Sequence, residues 1–255
     1  MYSSYIITYK TYKYEGENKM HVTGVVLAAG QGRRMGSSVA KQFLDICGKP
    51  MIYYSLKAFE NSKVDEIILV TGREQVDYCK KLVCINRLSK VSKVIEGGKE
   101  RYDSVYNALC SIKSSDYVLI HDGARPFITV EKINAIIDAV DEYKACIICT
   151  PVKETIKIAD EAGYVANTPS RRMLWAAQTP QAFDFKLIKE AYERFYEDDR
   201  YANEITDDAM IYEIYSNSKV KILEGDYNNI KVTTPEDLLL AEKLASLYSK
   251  EIQNN

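Results

Sequence analysis

No apolar run reaches the roughly 18 residues that a membrane-crossing helix needs, which excludes a transmembrane span. A basic excess is also missing: 34 Lys and Arg stand against 36 Asp and Glu, for a net charge of −2 over 255 residues. That balance argues against polyanion binding by bulk electrostatics, so nucleic acid is not an expected partner and any anion must be held locally. The opening MYSSYIITYKTYKYEGENK lacks the apolar core and small-residue cleavage site of a signal peptide. Residues 1–19 are therefore set aside as an extension, disordered or a non-native start, and a cytoplasmic protein is expected. The six cysteines (47, 79, 84, 110, 146 and 149) are read as reduced, buried thiols. Cys146 and Cys149 form a C-x-x-C within the apolar ACIICTPV, but no second Cys/His pair stands near to complete a zinc site. Internal repeats and low-complexity linkers are absent as well.

What is present is an alternation. VTGVVLAAG, DEIILVTG, VSKVIEGG, DYVLIHDG and ACIICTPV are short, rich in Val and Ile, and most end in Gly, Asp or Pro, as strands do. Helical patterns lie between them at about 50–60, 74–84, 101–112 and 131–143. This rhythm predicts a single α/β domain over 20–250, with a Rossmann-like, mainly parallel sheet covered by helices on both faces. Ligands in such a sheet bind beyond the carboxyl ends of the strands. Past residue 151 the rhythm breaks, and alternating stretches flanking Glu161-Ala162-Gly163 predict a β-arm over 152–176 that leaves the sheet. An arm of that size buries little by itself, so a second subunit is the expected cover. Helices follow near 184–196 and 207–215, then a strand at KVKILEG. In TTPEDLLLAEKL, Thr234 is the expected N-cap of a last helix, with Pro235 in the first turn and Asp237 at the capping-box position.

Three strand ends carry candidate chemistry. In LAAGQGRRMGSSVAKQF, glycines let backbone N–H groups approach an anion, and Arg34 and Lys41 add cations. The spacing matches neither G-x-G-x-x-G nor a P-loop. A triphosphate cradle and a tight turn with solvated charges both remain open on this motif alone. GGKERYDSV repeats the pattern: Gly98 and Ser104 could meet a base or ribose, or Gly97-Gly98 is a turn with Arg101 and Asp103 in the next helix's first turn. In LIHDGARPF, Asp122 ends an apolar strand, where a carboxylate must be paired or bind a cation, and Arg125 could grip a phosphate. His121 reads as structural. Asp207 and Asp208 in EITDDAM read as first-turn carboxylates favoured by the helix dipole.

Taken in order, LAAGQGRRMG with AKQF, GGKERYDSV, HDGARPF, PVKETIK, TPSRRMLWAAQTPQAF, ITDDA and NIKVTTPEDL resemble the 2-C-methyl-D-erythritol 4-phosphate cytidylyltransferase family over roughly residues 22–245. The resemblance implies a fold of the nucleotide-diphospho-sugar transferase type and a CTP-dependent nucleotidyl transfer of the non-mevalonate isoprenoid pathway. It implies Mg²⁺ or another divalent cation, and a homodimer whose arm completes the neighbouring site. By motif, Arg34, Lys41 and Lys231 would be catalytic. Ala28, Ala29, Gly30, Gly32, Gly98, Ser104 and Gly123 would line the nucleotide. Asp122, Arg125, Thr155 and Arg171 would bind methylerythritol phosphate, with Asp122 also at the metal. Two positions depart from many relatives: Lys99 stands where an acidic residue is usual, and Gly123 where Ala is.

The closest alternative is a ribitol-5-phosphate cytidylyltransferase, which shares the CTP loop, HD-x-x-RP and NIKVTTP. DSVYNAL and RRMLWAAQTPQ resemble the methylerythritol branch more. A nucleotide-binding module without turnover would be expected to lack the cations at 34, 41 and 231. A dinucleotide oxidoreductase is disfavoured by the glycine spacing.

Overall fold

The computed structural model describes residues 20–30, 40–201 and 204–253. Residues 1–19 and 31–39 lie outside these residues. Strand β1 (Val22–Ala28) is followed by a small hairpin, β2 (Asp45–Ile46) and β3 (Lys49–Pro50), then helix α1 (Met51–Glu60). The alternation continues with β4 (Glu66–Thr71), α2 (Val76–Ile85), β5 (Val91–Glu96), α3 (Arg101–Ser111), β6 (Tyr117–Asp122), α4 (Val130–Tyr143) and β7 (Ala145–Pro151). The second part holds β8 (Ile158–Ala159), β9 (Val165–Asn167), β10 (Trp175–Asp184), α5 (Phe185–Glu197), α6 (Asp208–Ser216), β11 (Lys221–Glu224) and α7 (Pro235–Gln253).

Among the described residues the main sheet has seven strands in the order β11-β7-β10-β6-β1-β4-β5. All neighbours are parallel except β10, which runs antiparallel to both β6 and β7. The TPQAF stretch, beyond the 152–176 arm and assigned to no element by the sequence pattern, lies in the long strand β10 that separates β6 from β7. Its residues from Thr179 to Phe183 are all buried, the apolar Ala182 and Phe183 in the two cores and the polar Thr179 and Gln181 with their side-chain hydrogen bonds met by Asp122, His121, Asp207 and Ala209.

Strand periodicity divides β1 between two cores. Val22, Val26 and Ala28 pack with α1, α2 and α4 on one face, while Val25 and Leu27 pack with α3, α5 and α6 on the other. Helix α7 covers a third cluster with Ile46, Met51, Ala124 and Phe127. Its start has the expected reciprocal cap: Thr234 N donates to Asp237 Oδ2 at 2.9 Å, and Asp237 N donates to Thr234 Oγ1 at 3.4 Å.

Within 152–176 lies a short hairpin. Strands β8 and β9 pair antiparallel around a turn with Gly163 at φ +84°, a left-handed conformation that glycine adopts without strain. Asp160 closes the turn by accepting the Ala162 and Tyr164 amides. Ile158, Tyr164, Val165 and Met173 are exposed along it. The cysteines are all free, but Cys47, Cys84 and Cys110 are exposed, which corrects the expectation that all six are buried. Cys84 and Cys110 fall on outward helix positions that an apolar pattern does not separate from inward ones.

Candidate functional site

The carboxyl ends of β1, β5 and β6 converge on a cavity of about 550 Å³. Ala29, Gly30, Lys41, Gln42, Gly98, Lys99, Glu100, Arg101, Ser104, Asp122, Ala124 and Lys231 are among the residues that line it. A smaller cavity of about 180 Å³ shares Arg101, Asp122 and Lys231 and extends to Arg125, Gln178, Thr179 and Asp207.

The glycine turn after β5 is shaped by contact. A Cβ on Gly98 would lie 2.1 Å from Asp103 Cβ, and one on Gly97 would lie 2.4 Å from Ala29 Cβ. Only glycine lets this turn lie against α3 and the end of β1. The Gly98 amide donates to Ser104 Oγ at 3.0 Å, and that hydroxyl donates on to the Glu100 carbonyl at 3.2 Å. Asp103 accepts the Glu100 amide at 2.8 Å and the Tyr196 hydroxyl at 2.6 Å, bracing the turn from outside.

At the end of β6, Asp122 is almost fully buried and both of its oxygens are taken. Arg101 Nε donates to Oδ1 at 3.1 Å, and Lys231 Nζ meets Oδ2 at 2.8 Å. Burial alone would raise this carboxyl, but Arg101, Lys231 and the more distant Arg125 outweigh it and hold it well below the usual carboxylate range. Asp122 is therefore ionised. Arg101 also grips Asp208 with two bonds, of 2.8 and 2.7 Å. Burial would lower the guanidinium, yet Asp208 and then Asp122 keep it charged.

His121 organises the turn beneath. The Arg125 carbonyl can only accept, so His121 Nε2, 3.2 Å away, carries the ring proton. Nδ1 of the neutral ring then accepts from Thr179 Oγ1 at 3.0 Å, and that hydroxyl accepts the Asp122 amide at 3.0 Å. A neutral, structural histidine results, as the sequence suggested, and complete burial depresses it to about 4.

Of the candidate residues, Ala29, Gly30, Lys41, Gly98, Ser104, Asp122 and Lys231 come together around the larger cavity, and Arg125 lines the smaller one. Arg34 and Gly32 lie outside the described residues. Ala28 packs into the core and lines neither cavity. Gly123 is likewise not on a cavity wall: its amide donates to the Leu27 carbonyl at 2.8 Å, and a Cβ there would lie 2.3 Å from Ile52 Cδ1. Ala124 takes its place on the wall, and an alanine at 123 would meet not only Ile52 but also the Leu27 carbonyl oxygen, 2.8 Å from its Cβ. Thr155 and Arg171 lie on the exposed arm and reach neither cavity within one chain; Arg171 donates to the Lys153 carbonyl at 2.9 Å. Arg125 is already engaged by the Asn229 carbonyl at 2.8 Å and, more loosely, the Ala177 carbonyl at 3.4 Å.

Sequence reasoning passed over Arg101, Asp208 and Gln42. Arg101 and Asp208 were read as ordinary first-turn helix residues, whereas Asp208 is fully buried against Arg101. The available signal was a cation in a first helical turn, where the dipole disfavours it. Gln42 is 4% exposed, lines the larger cavity, and its Oε1 has no hydrogen-bond donor among the described residues.

Over residues 22–246 the chain matches the family model described as 2-C-methyl-D-erythritol 4-phosphate cytidylyltransferase. It is 51% identical over 220 residues to a protein of that name from Lachnospira eligens, covering 86% of this chain and 96% of the relative. It is 50% identical over 222 residues to a Clostridium perfringens protein of the same name, covering 87% and 97%. The fold resembles the crystal structure of 4-diphosphocytidyl-2C-methyl-D-erythritol synthase from Anaerococcus prevotii, with a TM-score of 0.78 and 32% identity over 89% of this chain and 99% of that one. The Thermus thermophilus 2-C-methyl-D-erythritol 4-phosphate cytidylyltransferase structure matches with a TM-score of 0.71 and 28% identity, over 89% and 100%.

The His121 geometry has a consequence for stability. Between about pH 6.5 and 4 the unfolded histidine binds a proton that the native one refuses, so stability is full above this window and falls as pH drops through it. The loss at pH 4 is on the order of 3 kcal/mol. Urea unfolding at pH 7 and pH 4.5 should show it, with a shallower pH slope in His121→Gln; an unchanged slope would overturn the assignment.

Proposed function

The chain belongs to the 2-C-methyl-D-erythritol 4-phosphate cytidylyltransferase family, enzymes of isoprenoid biosynthesis that transfer CMP from CTP to 2-C-methyl-D-erythritol 4-phosphate, and we propose how its residues divide that work. The observation that carries the proposal is the convergence of two glycine-bearing strand ends with Lys41, Arg101, Asp122 and Lys231 around one cavity.

An oxygen of the substrate's 4-phosphate attacks the α-phosphorus of CTP. The new P–O bond forms as the bond to the β-phosphate oxygen breaks, and pyrophosphate leaves with the electron pair. No protein nucleophile is needed, so the chain contributes position and charge. The Gly30 end of β1 and the Gly97-Gly98 turn receive the nucleotide, with backbone approaching where a side chain would block it. Ser104 keeps that turn in shape and still has acceptor capacity toward a ribose or base. Lys41, with Arg34 and the Gly32 backbone from the adjoining loop, neutralises the triphosphate and the charge growing on the leaving group. Lys231 lies 2.8 Å from Asp122, on the wall shared by the two cavities, and can exchange that carboxylate for the transferred phosphate. Asp122 and Arg125 face the smaller cavity, which suits the polyol phosphate in volume and polarity.

Among the described residues there is no cluster of three or more acidic, His or Cys ligands for a metal. A lone ionised carboxylate still fits Mg²⁺, which is commonly held by one or two carboxylates plus substrate phosphates. Each Asp122 oxygen keeps a lone pair beyond the one its ion pair uses. Asp122 would hold the ion, which when bound supplies charge neutralisation for the triphosphate.

The exposed apolar residues of the arm support a homodimer in which Thr155 and Arg171 reach the partner's smaller cavity. The six free thiols support a reducing, cytoplasmic setting.

Pyrophosphate release should occur from CTP and Mg²⁺ with methylerythritol 4-phosphate and not with ribitol 5-phosphate; the reverse pattern would overturn the substrate assignment. Arg34→Ala and Lys41→Ala should each lower kcat by a factor on the order of 10² with the fold intact, and near-parental turnover in both would remove them from the reaction. Sedimentation should give a dimer that Ile158→Asp with Val165→Asp converts to a poorly active monomer. A parent that is monomeric and fully active would rule out the shared site.

A further inference from the structure

The first-turn position of Arg101 gives no local reason for a cation, because the amino end of a helix favours negative charge. Its reason is tertiary. One edge of the guanidinium makes the two bonds to Asp208, whose side chain has no exposed surface. Asp208 Oδ1 is held in addition by the Tyr192 hydroxyl at 2.6 Å. Arg101 Nε then reaches Asp122 Oδ1 at 3.1 Å. A continuous set of charge-assisted bonds thus runs from α5 (Tyr192) and α6 (Asp208) through α3 (Arg101) to the end of β6 (Asp122). Lys231, by contrast, meets Asp122 with a side chain that is 40% exposed.

We propose that Arg101 is a positioning residue for the transfer. Its grip on Asp208 fixes the guanidinium, and its Nε fixes where the Asp122 carboxylate lies. Lys231 is then the partner that leaves Asp122 for phosphate, while the carboxylate stays in place. The rigid planar fork matters: a lysine at 101 would offer one point charge and could not span both acids with the same geometry. The proposal rests on Asp122 acting at the substrate phosphates.

A purely structural ion pair can often be replaced by apolar residues of similar volume without loss of stability. That property separates the two roles. The triple variant Arg101→Met, Asp208→Leu, Tyr192→Phe removes the buried charges and the hydroxyl together and leaves no orphaned group among those three side chains. The expected result is a folded dimer or monomer as in the parent, a KM for CTP within about threefold, and a kcat lower by a factor on the order of 10², as for a reacting group misplaced by about 1 Å. A folded triple variant with parental kcat overturns the proposal. If that variant does not fold, Arg101→Lys decides by the same split: kcat reduced at least tenfold with little change in KM supports positioning, and parental kcat overturns it. Asp122→Asn is assayed alongside. Full activity there would mean that Asp122 itself is not at the phosphates, whereas an impaired Asp122→Asn beside unimpaired Arg101 variants would reject positioning alone.

Discussion

A carboxylate buried at the end of a strand must be matched by charge, and in this chain the matching of Asp122 sets out the whole site. The cost of burying an ion falls sharply when its partners are fixed and hydrogen-bonded. Arg101 supplies one such partner from the helix after β5, and Lys231 supplies the other from the segment before α7. These come from segments far apart in the sequence, so meeting the demand of one carboxylate brings the Gly97-Gly98 turn, the β6 end and the late NIKV segment to a single place. The turn after Asp122 is secured by the neutral His121 and by Thr179 on β10. Thr179 thereby ties β10 to the end of β6, its antiparallel neighbour in the sheet.

The parts of the fold that were legible are those in which local pattern and tertiary role agree. The β-α alternation, the arm and the capping box at Thr234 each rest on a periodicity or a turn signal contained within a few residues. What was not legible is pairing over long separations. Asp208 looked like a helix-dipole residue because its neighbours say only that; its buried contacts come from positions 101 and 192. The long β10 strand was hidden because its first three residues are exposed and the next six buried, which leaves no alternation of period two.

The candidate site divides in the same way. Glycines and cations near strand ends are visible because phosphate recognition uses backbone approach and charge, and both leave marks in local sequence. The resemblance added residues that local reading could not rank. One chain brings most of the expected nucleotide set together, while Thr155 and Arg171, expected at the other substrate, stay on an exposed hairpin that lines neither cavity. Gly123 shows the limit of carrying roles by motif: its position follows the pattern, while its amide and its missing Cβ serve packing against Leu27 and Ile52.

Charge gives the last step. The chain as a whole is slightly acidic, at −2, yet the larger cavity is lined by Lys41, Lys99, Arg101 and Lys231 against Glu100 and Asp122, four basic groups to two acidic ones. Screening makes these facts compatible. At physiological salt the Debye length is about 8 Å, so a ligand inside the cavity feels chiefly the groups on its wall, whereas a long polyanion would also meet the rest of a chain whose net charge is slightly negative. Lys99 raises that local balance further. The arrangement favours a small, highly charged anion over an extended one, and a nucleoside triphosphate meeting a sugar phosphate is such a pair.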